Sequence, residues 1–125
     1  MTGHEADQDY LSSLIEDDEV EMSVVISDPS LPDNPMIYVS DEFVRQTGYP
    51  ADEAIGRNCR FLQGPDTNPH AVNAIRQALK AETRFTIDIL NYRKDGSPFL
   101  NRLRTRPIYD ADGRLMFFAG AQNPV

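Results

Sequence analysis

The sequence predicts an α+β domain in which helices cover an antiparallel sheet. Three stretches of alternating apolar and polar residues, at 84–92, 99–107 and 114–122, predict long strands. Asp-Gly pairs at 95–96 and 112–113 lie between these stretches, which indicates hairpins and therefore antiparallel neighbours. Helical fragments come before this run of strands. That order is typical of α+β domains, in which helices and strands occupy separate parts of the chain.

The N-terminal half predicts shorter elements. Residues 9–20 mix apolar and acidic side chains at helical spacing, which predicts an N-terminal helix. Short runs at 22–27 and 36–40 predict two strands, and the loop 28–35 with its three prolines separates them. Between 41 and 62, glycines and a proline interrupt the helical pattern. Only short helical fragments are therefore expected there.

One longer helix is predicted after position 68. Asn68 suits the N-cap and Pro69 the first helical position, and the pattern continues to about Ala81. Arg76 shares the apolar stripe of this helix with Val72, Ile75 and Leu79. Arg76 either reaches water at the edge of that stripe or binds an anion inside the domain. Together with Arg60, a phosphate shared between two guanidinium groups is the better explanation.

Composition limits the classes of function. The 125 residues fit one domain, and 20 acidic against 12 basic residues give a net charge of −8. This charge repels nucleic acid and anionic membranes, so we expect neither as a partner. A single cysteine cannot form an internal disulfide, and neither a secretory signal nor a stretch of transmembrane length is present in the sequence. A cytoplasmic location is therefore expected.

The most informative segment surrounds that single cysteine. Cys59 lies between Arg57 and Arg60, with the amides of Asn58 and Gln63 close by in sequence. A guanidinium group favours an anion such as phosphate, and side-chain amides can both donate to and accept from a polar heterocycle. On its own, a lone thiol is more often a small buried apolar group. The combination indicates one side of a nucleotide-like pocket.

Further amides fall on the apolar faces of the predicted strands. With a three-residue loop between their strands, Asn91 and Asn101 stand opposite each other, and Gln122 points inward from the last strand. Buried amides need hydrogen-bond partners. The two asparagines either bond to each other or, together with Gln122, bind the polar edge of a ligand.

Several motifs carry a resemblance to a known family. The string Gly-Arg-Asn-Cys-Arg-Phe-Leu-Gln-Gly at 56–64, with Ser-Asp-Pro at 27–29 and Gly-Ala-Gln at 120–122, resembles light-oxygen-voltage (LOV) domains. These are flavin-binding blue-light sensors of the PAS superfamily. The resemblance covers about 23–123 and implies the PAS fold, a five-stranded antiparallel sheet with helices packed over one face. An N-terminal helical extension at 1–21 would precede the LOV domain at 22–125.

The resemblance implies flavin mononucleotide (FMN) as the cofactor. Arg60 and Arg76 would hold its phosphate, Asn34 and Gln63 its ribityl chain, and Asn91, Asn101 and Gln122 the polar edge of its ring. The ring faces would contact the apolar side chains Val25, Leu62, Val72, Ile75, Leu79, Leu103 and Phe118. Ser27, Asn58 and Gly120 complete the implied site. Cys59 would form a reversible bond to flavin C4a under blue light.

The resemblance also implies how a signal leaves the pocket. Gln122 would rotate its amide and pass the change through the sheet to the N-terminal extension or a dimer interface. The outer sheet face is apolar, so we expect a homodimer through that face and the N-terminal helix. The alternative is a monomer in which the helix covers its own sheet. The downstream protein is not indicated.

Four functions remain in competition. The first is a short, stand-alone bacterial-type photoreceptor that is not an enzyme. The second is a flavin redox sensor that does not need the bond to Cys59. A cysteine-dependent enzyme ranks lower because no base lies near Cys59 in sequence. A PAS domain without a ligand ranks last, because its inward arginines and amides would lack partners.

Overall fold

The protein is described here by a computed structural model of residues 8–125. Five antiparallel strands form one sheet in the order β2-β1-β5-β4-β3. Their bounds are β1 Ser23–Ser27, β2 Met36–Val39, β3 Phe85–Tyr92, β4 Pro98–Tyr109 and β5 Leu115–Pro124. The last strand therefore lies in the centre of the sheet and joins the N-terminal pair to the C-terminal pair. This confirms the predicted five-stranded α+β fold.

The helices are short apart from one. Their bounds are α1 Gln8–Ser13, α2 Asp41–Thr47, α3 Ala51–Ala54 and α4 Pro69–Lys80, with 3₁₀ helices at Asp17–Glu19 and Cys59–Leu62. The start of α4 is as predicted, because the Asn68 side chain accepts a hydrogen bond from the backbone N–H of His70 at 2.8 Å. In the part of the chain that the structure describes, no helix combines the length and the apolar character needed to cross a membrane.

Apolar side chains pack on both faces of the sheet. On the inner face, Val25, Met36 and Val39 of the sheet pack against Phe43, Ala54 and Leu62 of the helices. The outer face carries the cluster Leu11, Ile26, Ile37, Phe117 and Ala119. Leu11 comes from α1 and is fully buried, which contributes about 1.5–3 kcal/mol to folding. The N-terminal segment therefore packs on the outer face of its own sheet.

The predicted N-terminal helix at 9–20 is too long. The structure ends α1 at Ser13, and a separate 3₁₀ helix follows at Asp17–Glu19. The hydroxyls of Ser12 and Ser13 donate to backbone carbonyls one turn back, which competes with continued helix. Acidic residues next to a helix C-terminus also oppose its dipole. Of the predicted extension at 1–21, residues 1–7 lie outside the described residues.

The predicted register of the hairpin between β3 and β4 is also wrong. Asn91 lies opposite Phe99, and Asn101 lies opposite Ile89. The connection is a five-residue loop, 93–97, in which the Asp95 carboxylate accepts bonds from the N–H and hydroxyl of Ser97 at 2.9 and 2.6 Å. The Arg93 N–H also donates to the Ser97 carbonyl at 2.9 Å, so the turn is centred on Asp95. The predicted pairing centred it on Gly96, and this difference of one residue moves the register by two residues. Because the move is even, both asparagines still face inward.

Candidate functional site

A cavity of about 450 Å³ lies on the inner face of the sheet. This volume falls within the roughly 300–1,000 Å³ typical of small-molecule sites. Helix α4, the Cys59–Leu62 helix and the loop between β1 and β2 form its other walls. The lining residues are Val25, Pro29, Leu31, Asp33, Asn34, Asn58, Cys59, Arg60, Leu62, Gln63, Val72, Ile75, Arg76, Leu79, Lys80, Ile89, Asn91, Leu103, Phe118 and Gln122.

All of the predicted site residues except Ser27, Asn101 and Gly120 line this cavity. Asn101 lies behind it and is hydrogen-bonded to Asn91 and Gln122, which do line it. Gly120 lies under the cavity floor, where a Cβ atom would be 3.2 Å from Leu103 Cδ1. Ser27, at the end of β1 beside Met36 and Phe118, is not among the lining residues.

Sequence reasoning missed five lining residues: Pro29, Leu31, Asp33, Lys80 and Ile89. Ile89 could have been included, since it is two residues from Asn91 on the same strand face. Lys80 follows Arg76 by one helical turn and could also have been included. Asp33 carried no comparable signal, because its place depends on how the proline-rich loop folds.

Cys59 is the first residue of its 3₁₀ helix, and Asn58 caps that helix. The Asn58 side-chain oxygen accepts a bond from the N–H of Arg60 at 3.0 Å. The Cys59 side chain opens onto the cavity, so its exposed surface faces that space. Surrounding protein atoms desolvate the thiol and raise its pKa, and the charge of Arg60 offsets only part of this effect. Cys59 is therefore a neutral thiol at neutral pH.

Three cations line one end of the cavity: Arg60, Arg76 and Lys80. Arg60 forms an ion pair with Asp33, which raises the pKa of the guanidinium group. Among residues 8–125, Arg76 and Lys80 have no ion-pair partner. This end of the cavity therefore offers free positive charge to an anionic group.

Three amides meet on the strand side. Asn101 Nδ2 donates to Asn91 Oδ1 at 3.0 Å and also to Gln122 Oε1. Asn101 Oδ1 is buried and has no partner among the described residues, and Asn34 Oδ1 on the loop side is in the same state. A buried polar atom without a partner costs about 1–3 kcal/mol. A polar group of a ligand would therefore be stabilised at Asn34, which lines the cavity.

A sequence profile described as PAS domain matches residues 21–123. The structure also resembles the LOV domain from the EL346 blue-light-activated histidine kinase of Erythrobacter litoralis. The TM-score is 0.81 and the identity 40%, over 85% of this chain and 97% of that one. The chain is a LOV domain of the PAS family.

A second LOV structure superposes on this chain with a TM-score of 0.85. It comes from work on a flavin analogue and the mechanism of light-oxygen-voltage domains. The two sequences are 44% identical, and the match covers 95% of this chain and 86% of the other chain. Blue-light-activated histidine kinase 1 of Erythrobacter litoralis is 48% identical over 104 residues. Those residues are 83% of this chain and 29% of the kinase, so this LOV domain spans less than a third of that relative.

Proposed function

We propose that this LOV domain binds FMN in the cavity and senses blue light through a reversible bond between the Cys59 sulfur and the flavin. One combination carries the proposal: a thiol, free cations and inward amides surround a single cavity with apolar walls. Its relatives include proteins named as blue-light-activated kinases and blue-light photoreceptors. The activity proposed for this chain is light-dependent signalling, not enzyme turnover.

The residues present fit FMN on chemical grounds. Arg76 and Lys80 supply charge for its phosphate, with Arg60 beside them. Asn34 and Gln63 would bind the ribityl hydroxyls, and the unpartnered Asn34 Oδ1 is available to accept a bond. Asn91 and Gln122 line the cavity and would bind the polar edge of the ring, and Asn101, which is hydrogen-bonded to both, would complete this set of amides.

Apolar side chains would exclude water from both faces of the ring. They come from the sheet and from the helices on either side of the cavity: Val25, Leu62, Val72, Ile75, Leu79, Leu103 and Phe118. Gly120 keeps the floor clear, because a side chain there would press on Val25 and Leu103. Asn58 fixes the helix that carries Cys59. Ser27 remains an expected contact at the end of β1.

Cys59 would act as a neutral thiol. When bound, the flavin would supply blue-light absorption and the electrophilic carbon C4a to which the Cys59 sulfur can bond. Asp33 is the only carboxylate among the described lining residues, and Arg60 holds it in an ion pair. The lining therefore offers no free base for Cys59, and its raised pKa keeps the proton on sulfur in the dark.

Gln122 is the proposed origin of the signal. It lies on the central strand β5, opposite Ser23 on β1 and Leu103 on β4. A change in the donor and acceptor pattern at its amide would act on both neighbouring strands. The N-terminal extension at 1–21, whose described part packs on the outer face, would receive that change.

A homodimer through this outer face remains part of the proposal. Leu11 already packs on this face within one chain, which is the arrangement expected for a monomer. Tyr10 and Val20 in the N-terminal segment remain 43% and 66% exposed and are available to a second copy. Light scattering of dark and illuminated protein decides between the two states. A cytoplasmic location remains an expectation.

The proposed function is tested by the visible absorption of the purified protein and its reversible loss under blue light. The purified protein should be yellow, should bleach in blue light and should recover in darkness. Cys59→Ala should keep the flavin and its fluorescence but lose the reversible bleaching, since the cations and amides remain. A matched control is Thr86→Ala, which changes a small side chain outside the cavity lining and should bleach like the parent. Bleaching and recovery that persist in Cys59→Ala would reject the role of Cys59 and favour a redox sensor.

A further inference from the structure

We propose that Asp33 determines the ligand specificity of this cavity. Its carboxylate competes with a ligand phosphate for Arg60 and so weakens the preference for a phosphorylated flavin over an unphosphorylated one. The inference rests on the proposed flavin-binding function and concerns one end of the same cavity. Asp33 would act on the ligand phosphate through its negative charge.

The backbone holds Asp33 in a defined place. Its φ is 70°, in the left-handed region, and Asn34 follows with φ 48°. The Asn34 N–H donates to the Leu31 carbonyl at 3.2 Å, which closes the turn. Asn58 Nδ2 donates to the Asp33 carbonyl oxygen at 2.7 Å, and Asn58 Oδ1 accepts from the N–H of Arg60. One amide therefore fixes both partners of the ion pair relative to each other.

The ion pair between Asp33 and Arg60 lies between the main cavity and a neighbouring cleft. Asp33, Asn58 and Arg60 line the main cavity and also a neighbouring cleft of about 330 Å³. Pro32 and Phe61 are among the other residues that line the cleft. Arg60 can thus keep its bond to Asp33 on the wall or turn toward a phosphate in the cavity. Both contacts use the guanidinium group of Arg60, so Asp33 and the phosphate compete for it.

The charges at this end of the cavity favour competition between Asp33 and a ligand phosphate for Arg60. With Arg60 neutralised by Asp33, only Arg76 and Lys80 among the described residues that line the cavity present free positive charge. A phosphate placed there would also meet the negative charge of Asp33. The side chains of Arg60 and Asp33 are each 57% exposed, so water screens the interaction. The effect is therefore moderate and depends on salt.

The experiment compares FMN with riboflavin, because these ligands differ only in the phosphate. Dissociation constants for apoprotein are measured by flavin fluorescence at low and high salt. Asp33→Asn should raise the ratio of FMN affinity to riboflavin affinity by about three- to tenfold at low salt, and by less at high salt. Asparagine suits the left-handed backbone and removes only the charge. Asp33→Gly, which also tolerates this backbone, provides a second variant.

Asp88→Asn is the matched control. Asp88 is also exposed and ion-paired, through Arg102, and its replacement changes the net charge by the same amount. It does not line the cavity, so the affinity ratio should not change. A ratio that falls in Asp33→Asn would show that Asp33 positions Arg60 for the phosphate, and an unchanged ratio would show that it has no effect. Either result overturns the inference, whereas parent protein that binds neither flavin overturns the proposed function as well.

Discussion

Arg106 on β4 holds Glu19 of the N-terminal segment in a two-point ion pair. Arg106 Nε lies 3.1 Å from Glu19 Oε2, and Nη2 lies 2.9 Å from Oε1. Nη2 also donates to the Leu14 carbonyl at 2.7 Å, and Glu16 lies within 3.1 Å of Nε. The side chain of Glu19 is only 3% exposed. This ion pair therefore fastens the N-terminal segment to the outer face of the sheet.

Arg106→Ala should destabilise the domain by about 3 kcal/mol, because it leaves the Glu19 carboxylate buried without its partner. We expect the lower part of the usual range because a cleft beside the pair brings water near. The measurement is the free energy of unfolding in urea. Arg102→Ala is the control, since its pair with Asp88 is exposed and should cost about 1 kcal/mol at most. Equal losses in the two variants would contradict the prediction.

The same ion pair predicts a dependence of stability on pH. Burial raises the pKa of Glu19, but hydrogen bonds and charge from Arg106 outweigh burial and bring it below the ordinary 4.5. A lowered pKa in the folded state gives stability that is present above pH 4.5 and is lost as the pH falls through the folded value. Glu19→Gln should therefore flatten the fall in stability below about pH 4.5. Urea unfolding from pH 6 to pH 3 checks this, and an unchanged slope would contradict it.

Gly64→Ala should destabilise the domain through a steric clash. A Cβ atom on Gly64 would lie 2.3 Å from Tyr92 Cε1, closer than side chains approach. Tyr92 is held in place because its hydroxyl accepts a bond from the Asp66 N–H at 3.1 Å. We expect a loss of about 1–3 kcal/mol. In a Tyr92→Leu background the same substitution should cost much less, and equal costs in both backgrounds would show that the clash is not the cause.

Local signals in the sequence were sufficient for much of the fold. Asn68 and Pro69 determine where α4 begins, and both act within one turn of the chain. Alternation predicted the inward faces of β3, β4 and β5 because one face of each strand must contact the core. The motif around Cys59 supplies five of the twenty lining residues, because these five lie on a single short helix and its caps. The other lining residues that were predicted came from the resemblance to LOV domains.

Two of the errors came from interactions that local patterns do not contain, and one came from a local turn that was misplaced. The N-terminal helix ends early in a region where Glu16 and Glu19 contact Arg106, about 90 residues away in sequence. The register between β3 and β4 depends on how the Asp95 side chain closes its loop. Asp33 enters the cavity wall only because Arg60 and Asn58 hold it there. The contacts of Arg106 and Asp33 need the folded arrangement to be known first, whereas Asp95 bonds to Ser97 only two residues away.

Gln122→Leu tests the route of the light signal. Gln122 is 6% exposed, and its Oε1 accepts a bond from Asn101 Nδ2. Leucine keeps a similar size but removes that bond, which should cost about 1 kcal/mol of stability. Reversible bleaching should persist because Cys59 is unchanged. The light-dependent change in hydrogen exchange at β5 and at residues 8–20 should shrink, since the amide can no longer exchange donor for acceptor.

Gln46→Leu is the matched control for that experiment. Gln46 Nε2 donates to Asn123 Oδ1 at 3.0 Å, so this variant also removes an amide bonded to β5, but outside the cavity lining. It should leave the difference in hydrogen exchange between light and dark as in the parent protein. A small shift of the dark-state absorption in Gln122→Leu alone would show that this side chain contacts the flavin. If Gln122→Leu keeps the full difference in exchange, the signal leaves the cavity by another path, through Asn91, Asn101 or the helix that carries Cys59.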